Sequence, residues 1–278
     1  MMRIGLIAAV VMLAHLAGCA SVPSGDRNVV PLGEPKVARF STAMPGGKLP
    51  RGWRPWILSG LKKETDYQIV SVEGRNVLRA LAEQSASGLV HDVRFDPMQF
   101  PIITWRWKVS NLIDAADNTR SGTEDSPVRI VIAFDGEIAK LPPMERVAFA
   151  QFRALTKRSL PYATLMYIWE NKQPRDAVIH SRLTSRVRMI VAESGAARLG
   201  EWREETRDLV ADYRAAFGED PPPIKWIGIM TDSDNTRSSV RGYYGDLEIR
   251  ARSASDAKGV SAGSAPNTNS SVPSRERQ

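Results

Sequence analysis

Short apolar stretches separated by turn residues recur through most of the chain, and they limit its fold more than any other feature. Several of these stretches alternate apolar and polar residues, as residues 76–84 do. An alternation with a period of two is typical of a strand that buries one face. Many short strands of this kind predict a mostly β protein built as an antiparallel β-sandwich. The predicted strands are Asp66–Val72, Asn76–Gln84, Leu89–Phe95, Ile102–Val109, Val128–Phe134, Ala163–Trp169, Arg186–Glu193, Trp226–Thr231 and Tyr243–Ile249.

Two segments have the period of an amphipathic helix instead. Apolar residues recur at helical spacing in residues 143–157 and again in residues 198–217. The second segment ends at Gly218, shortly before the prolines at 221–223, which is an expected stop for a helix. We therefore predict two helices inserted into the β core.

The N-terminus has the order of a signal peptide. A charged Arg3 precedes an apolar run that ends before Cys19 and is shorter than the about 20 residues that a membrane span needs. Residues 16–19 resemble the lipobox, after which cleavage leaves the cysteine as an acylated N-terminus. We predict a signal peptide at 1–18 and a lipidated tether at 19–36, attached to a membrane through lipid on Cys19.

The residues around this cleavage site also bear on the compartment. Cys19 is the only cysteine, so the mature chain forms no internal disulfide and needs an ordinary core. Ala20 follows it, where an aspartate favours retention in the inner membrane. By resemblance to that sorting rule, we expect a lipoprotein of the cell envelope that faces the periplasm from the outer membrane.

The rest of the chain is expected to be one domain followed by a tail. Residues 37–250 are enough for a single β-sandwich domain. Residues 251–278 are rich in Ser, Ala, Asn and Pro and contain no aromatic residue, which predicts a disordered tail. The formal net charge is +7, but no basic run is interleaved with aromatic residues, so nucleic-acid binding is not expected.

Aromatic residues in two predicted strands are candidates for ligand binding. Trp105 and Trp107 point to the same face of their strand, and Tyr167, Trp169 and Asn171 share a face of another. Indole rings on an open sheet face can stack on a sugar ring. The alternative is that these rings fill the core of the sandwich, where aromatic side chains supply much of the burial.

An acidic turn follows the apolar strand near the C-terminus. Asp232, Asp234 and Asn235 carry oxygen atoms that can converge on a hard cation, which makes them candidate calcium ligands. The turn lacks the glycine and glutamate of an EF-hand loop. The alternative is a turn in which these side chains accept hydrogen bonds from backbone amides.

Paired carboxylates are the candidates for catalysis. Asp125 and Glu170 could act together in glycoside hydrolysis if they face each other across a cleft. His91 is predicted to be exposed in its strand rather than to act as a base. No Walker or dinucleotide glycine pattern is present, so a nucleotide cofactor is not expected. These residues favour binding over catalysis and leave an enzyme as an alternative.

Several longer motifs make the chain resemble the DUF3047 family of exported bacterial proteins. The resemblance covers about residues 38–250 and implies one domain, without an established activity. A looser likeness, from Trp53 through the Trp-x-Trp strand to Gly245-Asp246, is to jelly-roll domains of the carbohydrate-binding kind. The motifs for the family are residues 160–171, Glu193-Ser194-Gly195, Leu199-Gly200 with Trp202, residues 212–222, residues 229–236 and Tyr243-Tyr244-Gly245-Asp246.

Three hypotheses for function follow from these observations. The first is a lipid-anchored sandwich that binds a glycan or another envelope ligand without transforming it. The second is a polysaccharide-cleaving enzyme that uses the paired carboxylates. The third is an envelope assembly factor that binds a protein partner through its basic surface and the predicted helix around Trp202.

Overall fold

The computed structural model describes residues 32–156, 159–182, 184–254 and 256. The predicted signal peptide, Cys19 and the tether up to residue 31 lie outside the described residues, as does the tail from residue 257 onward. The described residues from Leu32 onward belong to one compact unit. The buried apolar clusters found among the described residues lie within this unit and form its core.

Twelve strands form the framework of the described structure, and nine of them correspond to short apolar segments predicted from the sequence; the first, the eighth and the tenth were not predicted. In chain order they are β1 (Trp53–Ile57), β2 (Asp66–Val72), β3 (Arg75–Glu83), β4 (Ala86–Phe95), β5 (Ile102–Val109), β6 (Ser126–Phe134), β7 (Ala163–Glu170), β8 (Val178–His180), β9 (Val187–Ser194), β10 (Arg203–Asp208), β11 (Ile224–Asp232) and β12 (Ser239–Arg250).

The strands form two sheets. The larger sheet has the order β1-β4-β11-β6-β7-β9-β8, and the smaller sheet has the order β10-β5-β12-β3-β2. From β4 to β6, and again from β10 to β12, the chain alternates between the sheets. The prediction of a mostly β, jelly-roll-like sandwich is confirmed. One neighbouring pair differs from an antiparallel arrangement, because β7 and β9 run parallel.

The core between the sheets is built on a group of aromatic rings. Trp105 and Trp107 of β5 meet Tyr167 and Trp169 of β7. The ring centroids of Trp105 and Tyr167 are 4.9 Å apart, and those of Trp107 and Trp169 are 6.3 Å apart. These large side chains remove much apolar area from water and join the two sheets.

Two helices lie outside the sheets, as predicted. Helix α1 (Pro143–Thr156) connects β6 to β7 and agrees with the predicted segment. Helix α2 (Leu209–Phe217) begins at Asp208, whose side chain accepts from the backbone N–H groups of Val210 and Ala211. No helix in the described ranges is long and apolar enough to cross a membrane.

The start of the second predicted helix is wrong. The prediction placed residues 198–217 in one helix, but Arg203–Asp208 form the edge strand β10, which pairs with β5. Helix α2 then ends at Gly218, with φ of 73°, a left-handed conformation that glycine adopts without steric cost. Residues 203–208 became a strand because the edge of β5 offers their backbone groups a continuous set of partners.

Candidate functional site

The aromatic side chains predicted to bind a ligand are buried in the core. Trp107, Tyr167 and Trp169 are 0% exposed and Trp105 is 2% exposed. The sequence correctly placed Trp105 and Trp107 on one face of β5, but that face is the inner one. The expectation of an accessible sugar-stacking surface at these residues is therefore corrected, because the four rings pack against one another between the two sheets.

Asn171, the polar member of the predicted ligand-binding set, holds a loop in place. Its Nδ2 donates to the backbone oxygens of Ile113 and Ala116, at 2.6 Å and 3.1 Å. Its amide donor is therefore committed to the chain itself. The structure assigns this residue a structural position rather than a place on a binding surface.

The two carboxylates predicted for catalysis are both buried and both accept hydrogen bonds from loops. Asp125 accepts from the backbone N–H of Asn235 at 3.2 Å and from that of Thr236 at 2.7 Å. Glu170 accepts from the backbone N–H groups of Lys172 and Gln173. Each is 1% exposed, so neither faces a cleft that a polysaccharide could enter. This contradicts their assignment as an acid–base pair.

The acidic turn does assemble a carboxylate cluster, with Asp125 as a member. Asp125, Asp232 and Asp234 each offer one oxygen, and these oxygens lie within 4.8 Å of one another. Arg129 donates to Asp232 through Nε at 2.9 Å and Nη2 at 3.1 Å. Burial raises the pKa of Asp232 to about 6, and the nearby charge of Arg129 opposes that rise. Lys62 Nζ lies 2.6 Å from Asp234.

These contacts bear directly on the predicted calcium site. Positive side chains already pair with Asp232 and Asp234, two of the predicted ligands. The third, Asn235, is exposed, and its backbone N–H donates to Asp125. The cluster thus has the contacts of a hydrogen-bonded turn, which was the alternative interpretation of this motif. Calcium binding here stays a prediction.

His91 differs from its predicted exposed position. It is buried beside Trp53, and its Nε2 lies 3.3 Å from the backbone N of Ala38, which donates to it. Burial lowers the pKa of its imidazole. The histidine therefore links β4 to the segment before β1 and is not open to solvent.

A different set of residues forms an accessible polar surface on the smaller sheet. We call it the outer face, defined by Arg106, Lys108, Trp202, Glu204 and Tyr243. In β5 the outward residues alternate with the buried tryptophans, and in β10 and β12 the outward residues stand next to a buried neighbour. All five side chains are at least partly exposed. The outer face is thus the solvent side of the strands that carry the aromatic core.

Aromatic and charged groups are combined closely on the outer face. The guanidinium carbon of Arg106 lies 4.6 Å from the ring centroid of Trp202, a cation–π contact. The rings of Trp202 and Tyr243 are 6.4 Å apart. Lys108 donates to Glu73 at 2.7 Å, and this hydrogen bond lowers the pKa of the Glu73 carboxyl. The aromatic pair is therefore held between fixed charges.

The position of Arg106 depends on a glycine in the neighbouring strand. A Cβ atom added at Gly245 would collide with the Arg106 side chain. Gly245 lies in the segment of β12 where the pairing register with β5 shifts, between Tyr244 and Leu247. The missing side chain there lets the arginine lie across β12 and reach Trp202.

A groove of about 480 Å³ adjoins these residues. Two of its charged side chains, Arg75 and Glu204, are exposed and form no ion pair with another residue in the described ranges. The groove thus offers both donors and acceptors that the protein itself does not use. Its lining consists of Ser41, Gly74, Arg75, Asn76, Thr104, Trp105, Arg106, Glu204, Asp246 and Glu248.

Sequence reasoning missed this surface for an identifiable reason. The sequence pattern predicts a helix at Trp202, and it puts Arg106 on the face opposite the two indoles without showing which face is solvated. The useful signal was Arg106 and Lys108, which alternate with Trp105 and Trp107 and so mark the opposite face as solvated.

Comparison with known proteins places the chain in a family. The model of DUF3047, described as a protein of unknown function, matches residues 51–248. The chain belongs to DUF3047. The region that matches the DUF3047 model lies within residues 38–250, for which the sequence resembles this family. No protein with a curated description matches the chain.

Solved structures with a related arrangement include two carbohydrate-binding modules. A family 29 module complexed with mannohexaose has a TM-score of 0.34 and 10% identity, over 79% of this chain and 93% of that chain. A family 4 module has a TM-score of 0.32 and 14% identity, over 73% of this chain and 96% of that chain. With TM-scores this low, neither likeness bears on what this DUF3047 chain binds.

Proposed function

We propose that this protein binds a glycan of the cell envelope on its outer face, without transforming it. One observation carries the proposal: the half-buried pair Trp202 and Tyr243 stands beside a polar groove whose Arg75 and Glu204 have no ion-pair partner in the described ranges. A sugar ring presents an apolar face and a rim of hydroxyl groups. This surface offers an aromatic partner for the first and both donors and acceptors for the second.

The charges of the outer face support a hydroxyl-rich ligand rather than a strongly ionic one. Arg106, Arg75 and Lys108 are balanced by Glu73, Glu204 and the carboxylates at the groove. A surface with both signs of charge has no strong net attraction for one ion. Hydroxyl groups, which donate and accept, can bind to both kinds of side chain.

Export and lipid attachment form the second part of the proposal. Its support is the sequence alone: a signal peptide at 1–18, a lipobox at 16–19 and Ala20 after Cys19. In this proposal the acylated Cys19 holds the sandwich at the periplasmic side of the outer membrane, where polysaccharide ligands are present. Radiolabelled palmitate in growing cells tests the attachment, since Cys19→Ser would remove the label.

A binding assay tests the glycan proposal directly. Residues 31–278 are compared with the variants Trp202→Ala and Glu204→Gln by affinity electrophoresis on gels that contain envelope polysaccharides. We expect the wild type to be retarded by at least one polysaccharide. Loss of the Trp202 side chain is expected to weaken that binding about tenfold or more, as for a stacking residue worth 1–3 kcal/mol.

The control is a tryptophan of similar exposure on the other sheet. Trp56 is half-buried and its ring lies 5.2 Å from that of Trp226, but its neighbours are apolar. Trp56→Ala is expected to bind as the wild type does. Unchanged binding by Trp202→Ala, or binding lost in Trp56→Ala alone, would place the ligand elsewhere and refute the proposal.

A further inference from the structure

The segment that precedes β1 lies against β3 and β12 and forms part of the groove. We call residues 38–43 the N-terminal strap. The backbone N–H and the hydroxyl group of Ser41 donate to Asp246 at 3.0 Å and 2.6 Å. The guanidinium of Arg39 donates to Glu248 at 2.6 Å. The strap therefore supplies one residue of the groove, Ser41, and holds two of the carboxylates that line it.

Buried contacts attach the strap to the larger sheet as well. Phe40 is 0% exposed, and its ring centroid lies 4.7 Å from that of Trp53 in β1. The indole N–H of Trp53 donates to the backbone oxygen of Ala38 at 2.8 Å. The backbone N–H of Ala38 donates to Nε2 of His91 in β4 at 3.3 Å. One of the hydrogen bonds that hold the strap thus ends on a titratable ring.

Only the neutral imidazole of His91 can accept this hydrogen bond. Because Nε2 is the acceptor, the ring proton is assigned to Nδ1, which lies 3.2 Å from the backbone oxygen of Asp92 and donates to it. Protonation of Nε2 would place two N–H groups against each other. The ring is packed tightly here, since a Cβ added at Gly52 would lie 2.5 Å from Nε2. A buried donor without an acceptor is costly, so protonation opposes attachment of the strap.

The surroundings of the ring favour its neutral form. Burial lowers the pKa of the His91 imidazole, and the carbonyl and the carboxylate of Asp92 oppose this effect without cancelling it. The Asp92 carboxylate is exposed and pairs with Arg54 of β1 at 2.9 Å. The contact with the strap is therefore complete above the ordinary histidine pKa of about 6.5 and is lost as the pH falls through the lower folded value. The other described neighbours of the ring are uncharged: Ala38, Gly52, Trp53 and Ile227.

We propose that His91 is a pH-sensitive switch for the N-terminal strap, and that its protonation loosens the strap and weakens ligand binding in the groove. Loosening removes Ser41 from the wall of the groove and frees Asp246 and Glu248 from their donors. Because binding and protonation are linked, a ligand in the groove must in turn make the His91 ring harder to protonate. The effect on the ligand rests on the proposed glycan binding, whereas the switch itself does not.

Hydrogen–deuterium exchange of the full-length protein tests the switch. We expect the protection of the amides of residues 38–43, corrected for the intrinsic effect of pH, to fall about fivefold or more between pH 7.5 and pH 4.5. In His91→Gln the side-chain oxygen can still accept from Ala38 but does not titrate, so the protection should stay constant. The matched control is His180→Gln, because His180 is exposed in β8 and the fall should remain. Asp232, whose pKa is about 6, titrates in both variants and cannot cause a difference between them.

Two measurements extend this test. The titration of the His91 ring, followed by NMR in the wild type, should have the same midpoint as the loss of strap protection, which covers the case in which His91→Gln does not fold. On the polysaccharide gels, glycan affinity should fall about fivefold between the two pH values in the wild type and stay constant in His91→Gln.

The outcomes separate the switch from the proposed function. Strap protection that is independent of pH, that falls equally in His91→Gln, or that has a different midpoint from the His91 ring would overturn the switch, even where glycan binding stands. A pH-independent affinity beside a working switch would overturn its effect on the groove. Absence of glycan binding at both pH values would refute the proposed function and with it the effect on the ligand, and the exchange data would still decide the switch.

Discussion

At the scale of single residues, Glu219 is the carboxylate where α2 meets the residues that directly precede β7 and β9. It accepts from Arg186 at 2.6 Å, from Tyr213 at 3.0 Å and from Tyr162 at 3.3 Å. Burial raises its pKa, but the hydrogen bond and the charge of Arg186, with the hydrogen bonds from the two tyrosines, together outweigh that effect and leave the pKa below its ordinary value. The ionised carboxylate therefore stabilises the contact between α2 and the larger sheet.

Glu219→Gln is expected to lower the free energy of unfolding at pH 7 by about 1 kcal/mol, since the side chain is partly exposed. A depressed carboxyl pKa contributes stability above the unfolded pKa of about 4.3, and this is lost as the pH falls through the folded pKa. Urea unfolding of both proteins should therefore show a difference that shrinks towards about pH 3. Glu201→Gln, at an exposed carboxylate, is the control. A difference independent of pH would contradict the assignment.

Asp125 gives a second prediction, because replacing it can distinguish a carboxylate that only holds a loop from one that binds a metal ion. Asp125→Asn is expected to lower the unfolding free energy by about 1–3 kcal/mol, since its carboxylate accepts three hydrogen bonds from residues 235 and 236. Thermal unfolding should give the same loss in calcium and in chelator. A calcium-dependent rise in the melting temperature that is absent in Asp125→Asn would instead establish the metal site.

At the scale of secondary-structure elements, the boundary between β10 and α2 is set by one side chain. Asp208 ends the strand and caps the helix, and its carboxylate also pairs with Arg252. Asp208→Ala is expected to cost about 1 kcal/mol of stability, whereas Asp208→Asn keeps the cap and should cost less. Chemical denaturation of the two variants measures this difference. An equal loss in both would assign the effect to the ion pair with Arg252.

The elements also show how far the sequence predicts this fold. Strands with regular apolar alternation were predicted within a few residues, because period two is a local property of the chain. Strand β1 contains Pro55, and β10 carries Glu205 on its buried face, where Arg175 pairs with it. Neither has the pattern of a half-buried strand. Both depend on contacts distant in sequence, which composition alone does not reveal.

The candidate site was harder to predict than the fold for a related physical reason. Alternation shows which side chains of β5 share a face, but a sandwich strand has two faces and only one packs on the other sheet. Trp105 and Trp107 proved to be inside, so Arg106 and Lys108 are outside. Which face of β5 is buried depends on which face the other sheet covers, and that is a property of the whole topology.

At the scale of the whole molecule, the aromatic core joins the two sheets into one cooperative unit. Trp107→Ala is expected to lower the unfolding free energy by about 3–5 kcal/mol. The indole N–H of Trp107 meets no acceptor among the described residues, so Trp107→Phe removes an unsatisfied donor and should cost much less. Urea unfolding compares the two. Trp107→Phe should still bind the glycan. If this variant folded but no longer bound the glycan, Trp107 would belong to the ligand site.

Strand β11 lies between β4 and β6, although it is the last strand of the larger sheet in the chain. During synthesis β4 and β6 are complete long before the strand that pairs with both of them exists. The centre of the larger sheet cannot form until β11, which ends at Asp232, is available to pair with β4 and β6. The sheet therefore cannot be assembled strand by strand from the N-terminus. Such non-local pairing slows folding and leaves strand edges open to aggregation in the meantime. The edges of β4 and β6 that β11 covers in the folded sheet therefore stay unpaired until β11 joins them.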